Sequence, residues 1–327
     1  MISTRLTSRF GLRHPIVLAP MDIAATARLA TAVADAGGLG LLGGGYGDRA
    51  WLERELDWVG DARVGCGFIT WSMARQPELL DLVLRRRPVA VLLSFGDPMP
   101  FAARISEAGV ALICQVQNLA YARRALEAGA EVIVAQGGEA GGHGTGLRST
   151  FTLVPEVADL VARSRPEVLV LAAGGVADGR GLAAALTLGA DGVMVGTRFW
   201  ATPEADVNPL AQQRGMAAGS DETIRTSVYD IVRTAPWPAQ YNGRLLRNDF
   251  IERWHGHETE LLSDVPEAAA AYRAAVEQGD FGVANMIVGE SVGLIQDVRP
   301  ARTVVEDMVE QAEAVLDRHA KRTFAGR

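Results

Sequence analysis

The chain has 327 residues, a net charge of −7, 48 % hydrophobic residues and 22 % charged residues. This length holds one large domain or two smaller ones, and the composition is that of an ordinary soluble globular protein. The negative charge argues against nucleic acid or an anionic membrane as the main partner. No apolar run is long enough to span a bilayer. The first twelve residues lack a signal-peptide core, which predicts a cytoplasmic protein.

Cysteine and lysine usage limits the chemistry of the core. Cys66 and Cys114 both fall inside predicted strands, so we predict two small core residues and neither a disulfide nor a thiolate metal site. The single lysine, Lys321, lies in the C-terminal tail. Schiff-base chemistry therefore has no amine available in the core.

Short apolar runs recur at near-regular intervals along the first 200 residues. They are rich in β-branched residues and apolar on both faces, which is typical of parallel strands covered by helices. We predict eight strands, at Ile16–Pro20, Leu39–Gly43, Val64–Ile69, Ala90–Phe95, Ala111–Val116, Val132–Gln136, Val168–Ala172 and Gly192–Gly196. The predicted helices between them include Ala24–Ala36, Leu52–Val59, Glu78–Arg86, Phe101–Glu107, Leu119–Ala128 and Gly181–Leu188.

The joints between helices and strands repeat one pattern, in which a glycine stands where a helix ends. The four examples are Gly37, Gly109, Gly129 and Gly189, and Asn118 is a plausible N-cap for its helix. Eight strands alternating with helices predict an α/β fold of the (β/α)8, or TIM barrel, type. The alternative is an open doubly wound sheet, but no early Gly-x-Gly-x-x-Gly turn follows the first strand to support it.

Residues 200–285 break the alternation. They are rich in alanine, polar residues and tryptophan, with a helix-like stretch at Pro266–Glu277. We predict a mostly helical insertion after strand eight, on the substrate side. Residues 1–199 and 286–327 would then form the barrel, with Thr303–Ala320 as its closing helix.

The segment from Gln136 to Gly144 carries the strongest local signal. It follows a buried strand and holds five glycines in nine residues, so its backbone can approach a flat ligand closely. His143 lies in it. We read the segment as a flexible polar loop at the barrel mouth, where active sites of this architecture lie.

Two further glycine-containing turns end strands seven and eight. Gly174-Gly175 lies between strand seven and the helix that follows it, and Gly196-Thr197-Arg198 follows the last strand. Backbone N–H groups at these loops suit a phosphate dianion, and this is the usual phosphate site of the architecture. Together with the sixth loop they suit flavin mononucleotide (FMN), with its ring near Gln115 and Gln136, whose amides can hydrogen-bond a polar ring edge.

His143 could act as a general base, as a hydrogen-bond donor or as a structural residue. Its place at the barrel mouth favours the catalytic role. His255 and His257 form a His-Gly-His pair, but no third ligand nearby completes a zinc set, so we predict no metal site.

Four segments together resemble the nitronate monooxygenase family, formerly called 2-nitropropane dioxygenases. They are Ala19-Pro20-Met21, Gln136 to Gly144, Ala173 to Gly181 and Gly196 to Phe199. The Glu-Ala-Gly-Gly-His phrase is shared with flavin-dependent enoyl-acyl carrier protein reductases. The resemblance covers residues 10–200, and residues 285–310 resemble the family's returning C-terminal segment.

The resemblance implies an FMN-containing barrel that oxidises alkyl nitronates with dioxygen to a carbonyl compound and nitrite. It implies that His143 is the base when the neutral nitroalkane is the substrate. Combining the resemblance with the strand-end rule, the predicted cofactor-binding residues are Ala19, Pro20, Met21, Gln115, Gln136, Gly141, Gly142, Gly174, Gly175, Met194, Val195, Gly196 and Thr197. Two positions depart from the pattern: Ile69 and Gln115 stand where some members have asparagine and lysine. Losing that lysine weakens stabilisation of a reduced, anionic flavin.

Three alternatives remain open at this stage. The first is a flavin-dependent reductase that uses NADH or NADPH. The second is a phosphate-binding barrel without flavin, such as an isomerase or lyase. The third is a non-catalytic FMN-binding protein, which would not need His143. The expected partners are a small-molecule substrate and dioxygen. No residue pattern decides between a monomer and a homo-oligomer.

Overall fold

The computed structural model describes residues 2–324, and side chains up to residue 318, so the side chain of Lys321 lies outside the described set. The strands are β1 (Ile16–Leu18), β2 (Leu41–Gly43), β3 (Gly65–Ile69), β4 (Ala90–Ser94), β5 (Ala111–Val116), β6 (Val132–Gln136), β7 (Gly142–Gly144), β8 (Leu169–Ala173), β9 (Gly192–Val195), β10 (Thr223–Thr226) and β11 (Asn242–Leu246).

Sixteen α-helices lie within the described residues. They are α1 (Arg5–Phe10), α2 (Ala27–Asp35), α3 (Arg49–Val59), α4 (Thr70–Met73), α5 (Glu78–Arg85), α6 (Met99–Glu107), α7 (Leu119–Glu127), α8 (Thr150–Ser164), α9 (Gly179–Thr187), α10 (Thr197–Trp200), α11 (Pro209–Met216), α12 (Val228–Val232), α13 (Asp249–Trp254), α14 (Glu258–Ser263), α15 (Val265–Gln278) and α16 (Ala301–Phe324). None of them combines the length and apolar composition that a membrane span requires.

Eight parallel strands form the predicted barrel, in the order β1-β9-β8-β6-β5-β4-β3-β2. A parallel bridge between Val17 of β1 and Leu39, two residues before β2, closes the barrel between its first and last strands in this order. The fold is therefore a TIM barrel, as the alternation predicted, and not an open sheet. The first strand is shorter than predicted, so Ala19 and Pro20 lie in the loop that follows it.

Local sequence explains how the helices start and stop. The Asn118 side chain accepts a hydrogen bond from the backbone N–H of Tyr121, which confirms the predicted N-cap of α7. The four joint glycines, Gly37, Gly109, Gly129 and Gly189, all have φ between +67° and +95°. This left-handed conformation ends a helix at little cost only for glycine.

The core has two layers because side chains alternate along each barrel strand. In β6, Val132 and Val134 pack inside the barrel, where Leu6 of α1 also contributes. Ile133 and Ala135 of the same strand pack outward against the helices. Cys66 and Cys114 are free and buried in this outer layer, as predicted, and burial raises the pKa of both thiols to about 12.

Residues 200–285 fold into helices α11 to α15, as predicted, and two strands that the composition did not indicate. β10 pairs antiparallel with β11, and β11 pairs antiparallel with β7, which lies in the glycine-rich segment of the barrel. The insertion is therefore hydrogen-bonded to the sixth barrel loop. Its division from the barrel at residues 200 and 285 remains a proposal.

Candidate active site

A cavity of about 490 Å³ opens at the carboxyl ends of the barrel strands. All the predicted site residues except Val195 line it. They are Ala19, Pro20, Met21, Gln115, Gln136, Gly141, Gly142, His143, Gly174, Gly175, Met194, Gly196 and Thr197. The cavity has the size of a small-molecule or cofactor site.

Val195 is the exception, because side chains alternate along β9. Its side chain is buried in the outer core layer, while its backbone carbonyl accepts a hydrogen bond from the N–H of Ala19 at 2.9 Å. Val195 does not line the cavity itself, but its carbonyl links the end of β9 to the loop after β1, which does line it.

Backbone donors are free at the predicted phosphate loops. Within residues 2–324, no protein acceptor takes the N–H of Gly175 or of Gly196. The first turn of α9 differs, since the Asp178 carboxylate accepts from the N–H groups of Arg180 and Gly181. The N–H groups of Gly175 and Gly196 are thus left for an anion, whereas two N–H groups at the α9 N-terminus already have an acceptor.

Gly196 leaves room in front of its backbone. A Cβ placed there lies 3.5 Å from Met21 Sδ and 3.6 Å from Ala19 Cβ, which is ordinary contact distance. Gly175 has φ +75°, so a side chain there is strained whatever the space. Both positions fit a group that needs close approach to the backbone.

Gln136 is the centre of a buried amide network. Its Oε1 accepts from Gln117 Nε2 at 2.8 Å and from Gln115 Nε2 at 3.1 Å. Its Nε2 donates to the His143 carbonyl at 3.1 Å. The side chain therefore connects the ends of β5 and β6 to β7. The sequence predicted an amide facing the cofactor ring, but the oxygen and the nitrogen of this amide both have partners within the protein.

The glycine-rich segment is fixed in place, which corrects the predicted flexible loop. Residues Gly142–Gly144 form β7 against β11. The guanidinium of Arg225, on β10, donates to the carbonyls of Gly138, Ala140 and Gly144. Arg244 donates to the same Gly138 carbonyl. Burial, and then the nearby Arg244, lower the pKa of Arg225 to about 10. Two arginines of the insertion thus hold a segment whose composition alone reads as mobile.

His143 faces a carboxylate of the insertion. Its Nε2 lies 3.0 Å from both carboxylate oxygens of Asp230, on α12. The side chains are only 10 % and 11 % exposed. The imidazole also stacks on the indole of Trp237, with ring centroids 3.5 Å apart and planes inclined by 5°. This environment, unlike that of a solvent-exposed histidine, fixes the ring in one plane.

An aromatic wall surrounds that imidazole. Trp237 Nε1 donates to the Tyr46 hydroxyl at 2.9 Å, and Trp237 meets Phe95 edge to face at 5.2 Å. Tyr241 packs on Phe95 at 5.3 Å. Desolvation by burial raises the pKa of Tyr46 to about 12, so this hydroxyl stays protonated at neutral pH.

A second group of charged residues lines the cavity on the side of the first strand. Asp22 has φ +48°, an unusual backbone conformation for a residue with a side chain. Burial raises its pKa, and the positive charge of Arg233 opposes that shift. The Arg233 guanidinium lies 5.2 Å from the centre of the Tyr46 ring.

Sequence reasoning missed Asp230 and Trp237. Both lie in the segment that matched no recognised pattern, 87 or more residues after His143. The one available signal was Pro236-Trp237-Pro238, since an aromatic residue between two prolines indicates a rigid loop. Nothing in the sequence distinguishes Asp230 from the other acidic residues of the insertion.

Other ion-paired residues lie outside the cavity. Asp97 binds Arg124, and Arg198 pairs with Asp297. His255 and His257 face Glu258 and Glu260 at 3.6 and 3.2 Å. Among the described residues, no group of three or more His, Cys, Asp or Glu side chains is arranged to hold a metal ion.

Comparison with known proteins gives a consistent result. The family model for nitronate monooxygenase matches residues 3–62 and 69–311. A nitronate monooxygenase of Neurospora crassa is 34 % identical over an alignment 360 positions long, gaps included, which covers 95 % of this chain and 92 % of the fungal protein. A Mycobacterium tuberculosis protein named 5-hydroxy-7a-methyl-1-oxo-octahydro-1H-indene-4-carboxyl-CoA dehydrogenase is 37 % identical, covering 77 % of this chain and 68 % of its own.

Among solved structures, FabK from Thermotoga maritima superposes with a TM-score of 0.86 at 31 % identity, covering 98 % of this chain and all of that one. The resemblance predicted from the cavity segments is thus confirmed over nearly the whole chain, including the insertion that the motifs did not reach. This chain belongs to the nitronate monooxygenase family and is a flavin-dependent oxidoreductase.

Proposed function

We propose that this enzyme binds FMN and oxidises alkyl nitronates with dioxygen to a carbonyl compound and nitrite. One observation carries the proposal: a single cavity joins free backbone donors at Gly175 and Gly196 to an imidazole backed by a carboxylate. The first feature suits the phosphate of a mononucleotide. The second suits proton transfer at carbon.

The residues present fit FMN. Gly175 and Gly196 would hold its phosphate through their N–H groups, and Ala19 to Met21 with Gln115 would lie beside its ring. When bound, this cofactor supplies the two-electron chemistry, and the protein supplies binding, orientation and the base.

His143 is assigned the proton transfer. A neutral nitroalkane must lose a proton from carbon before oxidation, whereas a nitronate has already lost it. The imidazole lines the cavity and is stacked on Trp237, so it is held ready to accept that proton. The aromatic wall around it would limit the access of water to the reacting carbon.

A second candidate is a reductase that uses NADH or NADPH and acts on an acyl thioester. It is favoured by the name of the M. tuberculosis relative, which is a dehydrogenase of a carboxyl-CoA compound. Gln115, in place of the lysine seen in some family members, also fits a branch with another substrate. The isomerase and lyase alternatives lose their support, because family membership brings a flavin.

Anaerobic spectroscopy separates the two candidates. The purified protein should be yellow and release FMN, not FAD, on denaturation. In stopped-flow mixing without oxygen, a nitronate should bleach the flavin faster than NADH or NADPH does. Faster bleaching by a nicotinamide would favour the reductase, and a colourless protein that FMN does not reconstitute would overturn both.

A further inference from the structure

The carboxylate of Asp230 contacts the imidazole in a symmetric way. Both of its oxygens lie 3.0 Å from the same ring nitrogen, Nε2 of His143. Both side chains are nearly buried, so water competes little for this contact. A desolvated hydrogen bond to an ionised group is stronger than one between neutral groups.

This contact determines which ring nitrogen carries the proton. An ionised carboxylate only accepts hydrogen bonds, so Nε2 must be the N–H donor. In a neutral imidazole the other nitrogen, Nδ1, then holds the free lone pair. Within residues 2–324, Nδ1 of His143 makes no hydrogen bond to the protein, while the residue lines the cavity.

The ring is also prevented from turning. Trp237 covers one face of the imidazole at 3.5 Å, and its own indole N–H is tied to the hydroxyl of Tyr46. Phe95 stands edge-on at 6.5 Å. A rotation that exchanged Nε2 and Nδ1 would have to displace this aromatic group.

We propose that Asp230 is a positioning residue that makes Nδ1 of His143 the base atom. This inference rests on the proposed function. In the step concerned, the C–H bond of the nitroalkane breaks, the proton forms an N–H bond at Nδ1, and the electron pair stays on the substrate as the nitronate. The resulting imidazolium is stabilised by the charge of Asp230 and by the face of Trp237.

Other charged groups face the same space and set the background. Arg233, Asp22 and Asp206 line the cavity, and Arg225 holds the loop on which His143 lies. Asp230, in contrast to these four residues, contacts the imidazole directly. Removing the Asp230 carboxylate should therefore change which nitrogen of His143 carries the proton, while the other charged residues around the cavity are unaltered.

Nitrogen NMR tests the tautomer without any turnover. The purified enzyme is labelled with ¹⁵N-histidine, and the His143 signals are assigned by their loss in His143→Ala. We expect one neutral tautomer, with the proton on Nε2 and none on Nδ1. A proton on Nδ1, or on both nitrogens at the pH of the activity assay, would overturn the inference.

Kinetics test the positioning role. Asp230→Asn keeps the shape of the side chain, but its amide can also donate to Nε2 and so favour the other tautomer. We expect a loss of about tenfold or more on a neutral nitroalkane, and less than about twofold on the nitronate. Asp221→Asn is the matched control, since Asp221 is exposed, and it should change neither rate.

The outcomes separate this inference from the proposed function. Equal losses on both substrates, with flavin content retained, would mean that Asp230 only supports the fold, and the inference would be wrong. If the parent enzyme oxidises no nitronate, the proposed function fails, and the NMR result still decides the tautomer. If Asp230→Asn fails to fold, Asp230→Glu with the same two measurements takes its place. A proton on Nε2 with a nitroalkane rate near that of the parent supports the role, and equal losses on both substrates contradict it.

Discussion

A valine at position 196 is the sharpest test of where the cofactor phosphate binds. Gly196 has φ −108°, which any residue adopts, and a Cβ there meets only ordinary contacts with Met21 and Ala19. A side chain therefore fits at this position without backbone strain, and we expect its methyl groups to enter the cavity that Gly196 lines. They occupy the space from which a phosphate would reach the free N–H groups.

The size of the effect follows from the hydrogen bonds lost. A hydrogen bond to a charged group contributes about 1.5–3 kcal/mol, and each 1.4 kcal/mol is tenfold in affinity. Gly196→Val should thus bind FMN roughly 10- to 100-fold more weakly for each bond lost. The assay is a fluorescence titration of flavin-stripped protein with FMN.

A matched control keeps the result interpretable. Gly219 also has a negative φ, and a Cβ there meets only Glu222 Oε1 at 3.9 Å, but it lies outside the cavity lining. Gly219→Val should bind FMN like the parent. Unchanged FMN affinity in a folded Gly196→Val protein would refute the placement of the phosphate. Gly175 is a poorer probe, because φ +75° strains any side chain.

Three further changes have expected outcomes. His143→Ala should lose about 10²–10⁴-fold in rate on a neutral nitroalkane but keep FMN and most nitronate activity; steady-state kinetics on both forms check this, and parallel losses would contradict the base assignment. Arg225→Met should destabilise the fold by about 1.5–3 kcal/mol and speed hydrogen exchange in residues 137–146, whereas Arg214→Met, which breaks an exposed pair with Glu222, should cost less than about 1 kcal/mol in denaturant unfolding. Asp22→Asn should raise the melting temperature at pH 7, because burial raises the pKa of Asp22 and so penalises its charged form; the gain should vanish below the carboxyl's unfolded pKa, and a gain that persists there would contradict the burial argument.

The barrel could be predicted from the sequence because its signals are local. A buried parallel strand is a short apolar run, and each helix that returns to the next strand ends at a glycine such as Gly109 or Gly129. These features depend on a few neighbouring residues. The cavity-lining positions followed from the same pattern, because the carboxyl ends of the strands share one rim.

The partners of His143 could not be predicted in this way. Asp230 and Trp237 come to the imidazole only because β11 pairs with β7, and short antiparallel pairing across some 100 residues leaves no periodic pattern in the sequence. The same pairing explains the error about flexibility. The glycines of residues 137–144 have high backbone freedom in isolation. Arg225 and Arg244, which are distant in sequence, restrict it by hydrogen-bonding carbonyls of the segment.

The pairing of β7 with β11 builds one site from two separate parts of the chain, the barrel loops and the inserted segment. In the proposed function, the barrel loops carry the backbone donors for the cofactor phosphate, and the inserted segment brings the Asp230 carboxylate and the Trp237 indole to His143. We therefore expect substitutions between residues 227 and 241 to alter substrate choice without changing the affinity for the cofactor. A directed-evolution library confined to residues 227–241 would vary the surroundings of His143 while the cofactor-binding loops keep their sequence.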